Sequence, residues 1–172
     1  MIYFEANDDI EKLIIELNQF EEKLKHKVVR SGLVSLARPV KKSMKANAPQ
    51  DDGDLAKSIN HKLLNKRQKS RLSIDSDEVA ILVGPNKKVN GFHKGFIANF
   101  IEDGVKPHSI KAIKKHDKTM KFGSGDFFSG EINHPGIKAN PFMERSIDQN
   151  DQNFEELFYK GMARTLDKIR AQ

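Results

Sequence analysis

Short phrases built on proline and glycine punctuate this chain, and all of them fall between residues 48 and 142. They are Ala48-Pro49, Gly53-Asp54-Leu55, Val83-Gly84-Pro85, Ile101-Glu102-Asp103-Gly104, His134-Pro135-Gly136 and Asn140-Pro141-Phe142. Proline fixes φ and removes a backbone donor, while glycine adopts conformations that other residues resist, so each phrase marks the end of one element and the start of another. Long helices are therefore expected only outside this stretch, with short elements inside it.

The flanks fit that expectation. Asp8-Asp9-Ile10-Glu11 reads as a helix start with a carboxylate cap and Glu11 in the capping-box position. Ile10, Leu13, Ile14, Leu17, Phe20, Leu24 and Val28 recur at helical spacing, and Leu33, Leu36, Ala37, Val40 and Met44 continue the stripe to its stop at Ala48-Pro49. Pro39 is expected to kink this helix unless Ser31-Gly32 already divides it. At the other end, Phe154, Leu157, Phe158, Met162, Leu166 and Ile169 form a second stripe, and Leu13, Leu17, Phe20, Leu157, Phe158 and Leu166 are expected to share one core. Met1 to Glu5 could be an edge strand.

Between the flanks the pattern turns to strands. Gly53 to Ile59 reads as a turn leading into a short helix or a strand. Arg71–Asp75 alternates, and Val79–Val83 is an apolar run expected to stop at Gly84-Pro85. Phe92 to Glu102 spaces Phe96, Ile97, Phe100 and Ile101 as a helix, closed by Gly104 as a C-terminal cap. His108–Ile113, Thr119–Phe122 and Phe127–Ile132 are candidate strands of a hairpin region at about 105–133, and Pro141-Phe142 begins another helix. The expected fold class is α+β: one domain over residues 1–172, its long N- and C-terminal helices packed on a small, mostly antiparallel sheet with an extended hairpin.

Charge is unevenly placed. Nine lysines and three carboxylates lie between Gly84 and Lys121, an excess equal to the chain's whole net charge of +6. Such a segment can meet phosphate or an acidic protein surface, or serve as a solvated loop that discourages aggregation. Lys111, Lys114, Lys115, Lys118 and Lys121 are the candidate partner- or DNA-facing residues, with Lys114 to Lys118 read as the tip of an exposed arm. No run approaches the ~20 apolar residues that span a bilayer, and the expectation is a soluble intracellular product with no membrane partner.

Sites for chemistry are sparse. The chain has no cysteine, and its six histidines show no HExxH pattern. Glu102, Asp103 and His108 make at most a loose cluster. Gly123-Ser124-Gly125-Asp126 reads as a hairpin tip instead of a phosphate loop, and Phe92, Phe96 and Phe100 read as core in preference to base-stacking aromatics. The expectation is no catalytic residue, no metal, no cofactor and no small-molecule substrate.

In this order, behind a helical N-terminal third and ahead of a helical tail, the phrases resemble the small tail-component or tail-completion proteins of siphophages, the gene-product-ten-like family of lambdoid phages and prophages. The resemblance runs from about Leu13 to Ile169 and rests on Pro49, Gly53, Leu55, Gly84, Pro85, Glu102, Gly104, His134, Pro135, Gly136, Pro141 and Phe142. It departs at Val105, where threonine is usual, and at Gln50-Asp51-Asp52, which enlarge the turn. The resemblance implies a structural virion protein of the neck or tail, acting in head-tail joining or tail completion as a homo-oligomeric ring, with other neck and tail proteins as partners and DNA passing nearby. The residues leave two rivals: a sequence-independent nucleic-acid-binding protein, and a metal-dependent nuclease or toxin.

Overall fold

The computed structural model describes residues 8–18, 20–111, 119–121, 127–129 and 131–171. In order these form α1 (Asp8–Leu17), α2 (Glu22–Asn47), α3 (Asp54–Ser58), β1 (Ile59–Leu63), α4 (Lys66–Arg71), β2 (Ile81–Pro85), β3 (Lys88–Val89), β4 (Phe92–His93) and α5 (Gly95–Asp103). There follow β5 (His108–Lys111), β6 (Thr119–Lys121), β7 (Phe127–Ser129), β8 (Glu131–His134), α6 (Phe142–Asp148) and α7 (Phe154–Arg170). This is the expected α+β class with long helices at both ends. In place of one sheet, the described strands make separate two-stranded antiparallel ladders, β1–β2, β3–β4, β5–β8 and β6–β7. The turn phrases cut the middle of the chain into strands of two to five residues, each paired with a single partner.

Two compact units emerge, Met1–Gly95 with Phe142–Gln172, and Phe96–Pro141. In the first, Leu17, Val28, Met162 and Leu166 are buried together, with Phe20, Val29, Phe158, Tyr159 and Ile169 packed against them. The two apolar stripes thus meet in one core, as their spacing implies; the side chain of Leu13 lies outside the described residues, and Leu157 is half-buried. An ion pair between Glu16 and Arg170 joins α1 to α7 at the edge of this cluster.

Several local expectations are corrected. The N-terminal helix divides near residue 20, where Phe20 N–H bonds to Leu17 O and the N–H groups of Leu24 and Lys25 bond to Glu21 O. By contrast α2 continues through both Gly32 and Pro39 for 26 residues. Tertiary packing outweighs local preference there, because α7 and α6 both lie along α2. Arg71–Asp75 is no strand: Asn65 accepts from Gln68 N–H and Gln68 returns a bond to Asn65 N–H, a capping box that starts α4. Of Val79–Val83 only Ile81–Val83 enter β2, and the strand runs on through Gly84-Pro85, whose partners across the ladder are Asn60 and Ile59. Pro85 sits at the strand's last position, where a missing N–H is tolerated. The Met1–Glu5 strand lies outside the described residues.

In the second unit the phrases close a compact knot. Val105 and Ile137 exchange both backbone bonds at 2.8 Å, and Asn140 N–H donates to Ile101 O at 2.8 Å. Because Val105 contributes its backbone to this bridge, the usual threonine is not needed to form it. Gly104 and Gly136 flank the bridge with φ of 74° and 86°. A Cβ on Gly136 would lie 2.3 Å from Val105 O, and one on Gly104 would lie 2.8 Å from Ile137 O, so glycine is required at both for backbone hand and for space. His134 Nδ1 accepts from Gly136 N–H at 3.0 Å, fixing the turn around Pro135.

One buried nitrogen has a consequence for stability. His61 Nδ1 on β1 is buried without a hydrogen-bond partner among the described residues, and desolvation, then the charges of Lys41 and Arg38, hold the imidazole pKa below its usual 6.5. The unfolded chain therefore takes up a proton on His61 before the native one does, and stability falls as pH drops below 6.5 towards the native value. His61→Val should flatten that acid-side loss, seen as a smaller difference between urea midpoints measured above and below pH 6.5. An unchanged difference would assign the acid sensitivity to other groups.

Candidate functional site

The helix pair α2–α7 carries a cluster of lysines and arginines. Small residues let the two helices touch: a Cβ on Gly161 would sit 2.7 Å from Ser35 Cβ and 2.8 Å from Ser31 O. Ser31 Oγ donates to Gly161 O at 2.8 Å across the contact, and Thr165 Oγ1 donates to the same carbonyl at 3.3 Å. Beside this seam runs an open groove of about 540 Å³. Lys27, Arg30 and Arg38 rise from α2 and Arg164 and Lys168 from α7, above a floor that includes Ser31, Val34, Ser35, Gly161 and Thr165. No carboxylate among the described residues lines it. Lys27, Arg30 and Arg38 stand at helical spacing on one face because successive positions three, four and eight apart share a side of a helix.

A second charged constellation is structural. Asp54 opens α3, nearly buried, with Lys57 Nζ at 3.3 Å and Lys94 Nζ at 3.2 Å. Asn90 Nδ2 donates at 3.1 Å to Oδ2, the oxygen that Lys94 also meets, and the Asp54 N–H donates to Asp52 Oδ1 at 2.8 Å. Lys94 foremost, then Lys57, holds its carboxyl below the usual carboxylate range. Asp54 thus ties α3 to the β3–β4 hairpin, which gives the Gly53-Asp54-Leu55 phrase its physical reason; Leu55 beside it is buried.

The lysine segment is described only in part. In the β5–β8 ladder Lys111 pairs with Glu131, and in the β6–β7 ladder Thr119 pairs with Ser129. The expected tip of the arm holds Lys114, Lys115 and Lys118. Those three lysines lie outside the described residues, and of Lys121 only the backbone, in β6, is described. Lys111 pairs with Glu131 at 3.1 Å. Ser109 also donates to Glu131, and these two contacts, Ser109 first, lower the Glu131 pKa.

Other expected residues resolve as structure. Pro49 follows the end of α2, Glu102 sits half-buried in the last turn of α5, and Pro141 immediately precedes α6, whose Phe142 is fully buried. His108 and His134 face each other across β5–β8 with ring centroids 5.0 Å apart. Among the described residues no three histidine, aspartate or glutamate side chains converge as metal ligands. Phe92, Phe96 and Phe100, expected in the core, are exposed by 71%, 60% and 50%. Phe96 and Phe100 meet edge to face at 6.3 Å on α5, so their helical spacing marks an outward face.

A family model, described as "Bacteriophage HK97-gp10, putative tail-component", matches residues 11–104, more than half of the 172. The chain belongs to this family. As an HK97-gp10-like protein it is a phage tail component, a structural protein of the virion. The match covers α1 from Glu11 through α5 and closes on Gly104, so it takes in the phrases at Pro49, Gly53-Leu55, Gly84-Pro85 and Glu102-Gly104. His134-Gly136, Pro141-Phe142 and α7 fall beyond it, a shorter span than the spaced phrases alone imply. One wall of the basic groove is inside the match and the other outside. No curated protein and no solved structure matches the chain. No described helix of this family member is long and apolar enough to cross a membrane.

Proposed function

We propose that this tail component works as a homo-oligomeric ring at the head-tail joint or the upper end of the tail, completing the tail and contacting other neck and tail proteins. The observation that carries the reading is the aromatic pair on α5. Phe96 and Phe100 stack on each other while each stays at least half exposed, and Ile110 and Ile137 of the same unit are exposed as well. Aromatic side chains in water are the surface that a lateral protein contact covers, and aromatics are enriched at such contacts. In a chain with 31% charged residues they have no solubility purpose.

Phe96→Ser with Phe100→Ser should reduce the mass seen by light scattering from an oligomer to a monomer. Because both rings are exposed, the monomer should melt within a few degrees of the parent. In a phage complementation assay the double variant should leave unjoined heads and tails. A parent that is monomeric at every concentration tested, together with normal phage yield from the variant, would remove the ring reading.

A further inference from the structure

We propose that the α2–α7 groove binds the sugar-phosphate backbone of duplex DNA without regard to sequence. All five of its cations, Lys27, Arg30, Arg38, Arg164 and Lys168, are exposed, and none forms an ion pair among the described residues. Elsewhere on the same unit some lysines and arginines are paired, as Lys25 is with Glu22, Lys57 and Lys94 with Asp54, and Arg170 with Glu16. Five cations crowded around one groove with no carboxylate repel one another, and a polyanion relieves that repulsion.

The chemistry of the lining selects the kind of polyanion. Phosphate oxygens are met by arginine and lysine together with serine and threonine hydroxyls, and Ser35 Oγ has no hydrogen-bond partner among the described residues. An acidic protein segment would anchor through aromatic or aliphatic side chains seated in pockets, yet Val34 is the one large apolar residue here. The groove also lacks aromatic rings for stacking unpaired bases, which favours a duplex over a single strand. Length agrees: from Lys27 to Arg38 the helix rises about 16 Å. That is close to five steps of ~3.4 Å along the phosphates of one strand.

This site differs from the Gly84–Lys121 segment, and it needs no ring, so it stands or falls apart from the oligomer reading. The experiment is fluorescence anisotropy of the full chain with 30-base-pair duplexes of two unrelated sequences across a salt series. Five phosphate contacts predict a slope of log affinity against log salt of about −4.5 and a loss of roughly 500-fold between 50 and 200 mM salt. Arg30→Ser, Arg38→Ser and Arg164→Ser combined should make that slope shallower by about 2.7. Arg164→Gln with Lys168→Gln, on the other wall, should make it shallower by about 1.8 and keeps the test valid if the triple variant fails to fold. Phe96→Ser with Phe100→Ser should keep the parent slope, which separates the groove from the ring. An unchanged slope in both groove variants, absence of DNA binding at 50 mM salt, or displacement of the duplex by polyglutamate at equal charge would each overturn the proposal, the last in favour of an acidic protein partner.

Discussion

Phe142→Ala should lower the free energy of unfolding by about 3–5 kcal/mol, one of the largest effects available to a single substitution in this chain. Phe142 is fully buried at the start of α6, and α6 packs on α2. The size of the loss depends on whether the hole can close. Polar ties oppose closure: Asn47 Nδ2 donates to Ser146 Oγ at 2.9 Å, and Asn150 Nδ2 donates to Ser43 Oγ at 3.0 Å. Ser146 Oγ in turn donates back to Phe142 O. The helix is held in place while its largest core side chain is removed, so the cavity persists. Against a typical total of about 5–15 kcal/mol, such a loss leaves the protein near the edge of folding at ordinary temperature. Phe100→Ala, at a half-exposed position, is the comparison and should cost less than ~1 kcal/mol. Denaturant melts of both variants decide the matter; a loss below ~1 kcal/mol for Phe142→Ala would mean that α6 slides inward and refills the site.

The parts of the fold that were legible from sequence are those where one residue type answers one physical demand. Gly104 and Gly136 announce a left-handed backbone at a crowded bridge, and the stripes around Leu17 and Leu166 announce a shared apolar core. Elements failed to read where the signal was polar or where burial overrode it. The start of α4 is written in Asn65 and Gln68, a polar capping pair that the alternation of Arg71–Asp75 masks. The α5 stripe gave the right helix and the wrong environment, because helical spacing records a common face and not what covers it. The basic groove was hidden by averaging along the chain: residues 1–53 balance in charge, yet α2 alone carries eight lysines and arginines against the single acid Glu22. Counting charge by helix would have exposed one wall. The other wall, Arg164 and Lys168, lies more than 120 residues away and is joined to the first only by the fold.

Gly161→Val should be as damaging as the loss of Phe142, and for the opposite reason. Glycine inside a helix normally gives up about 1 kcal/mol against alanine, so an added side chain on an open face of α7 would stabilise it. Here the space is taken. A Cβ would stand 2.4 Å from Ser35 Oγ, 2.7 Å from Ser35 Cβ and 2.8 Å from the backbone oxygen of Ser31. The hydroxyl can rotate away, but the Ser35 Cβ and the Ser31 carbonyl are fixed to α2, so the helices must part. Alanine already exceeds the gap, at a cost of about 1–3 kcal/mol, and the two further methyl groups of valine extend the clash along the seam. Parting the helices also breaks the bond from Ser31 Oγ to Gly161 O and loosens the Leu17–Val28–Met162–Leu166 cluster further along the same contact. Ser35→Gly should return part of the loss in the Gly161→Ala background while leaving the Ser31 clash in place, and a double-mutant cycle measures that coupling. If Gly161→Ala proves neutral or stabilising, the close approach of α2 and α7 is wrong, and with it the groove that their contact shapes.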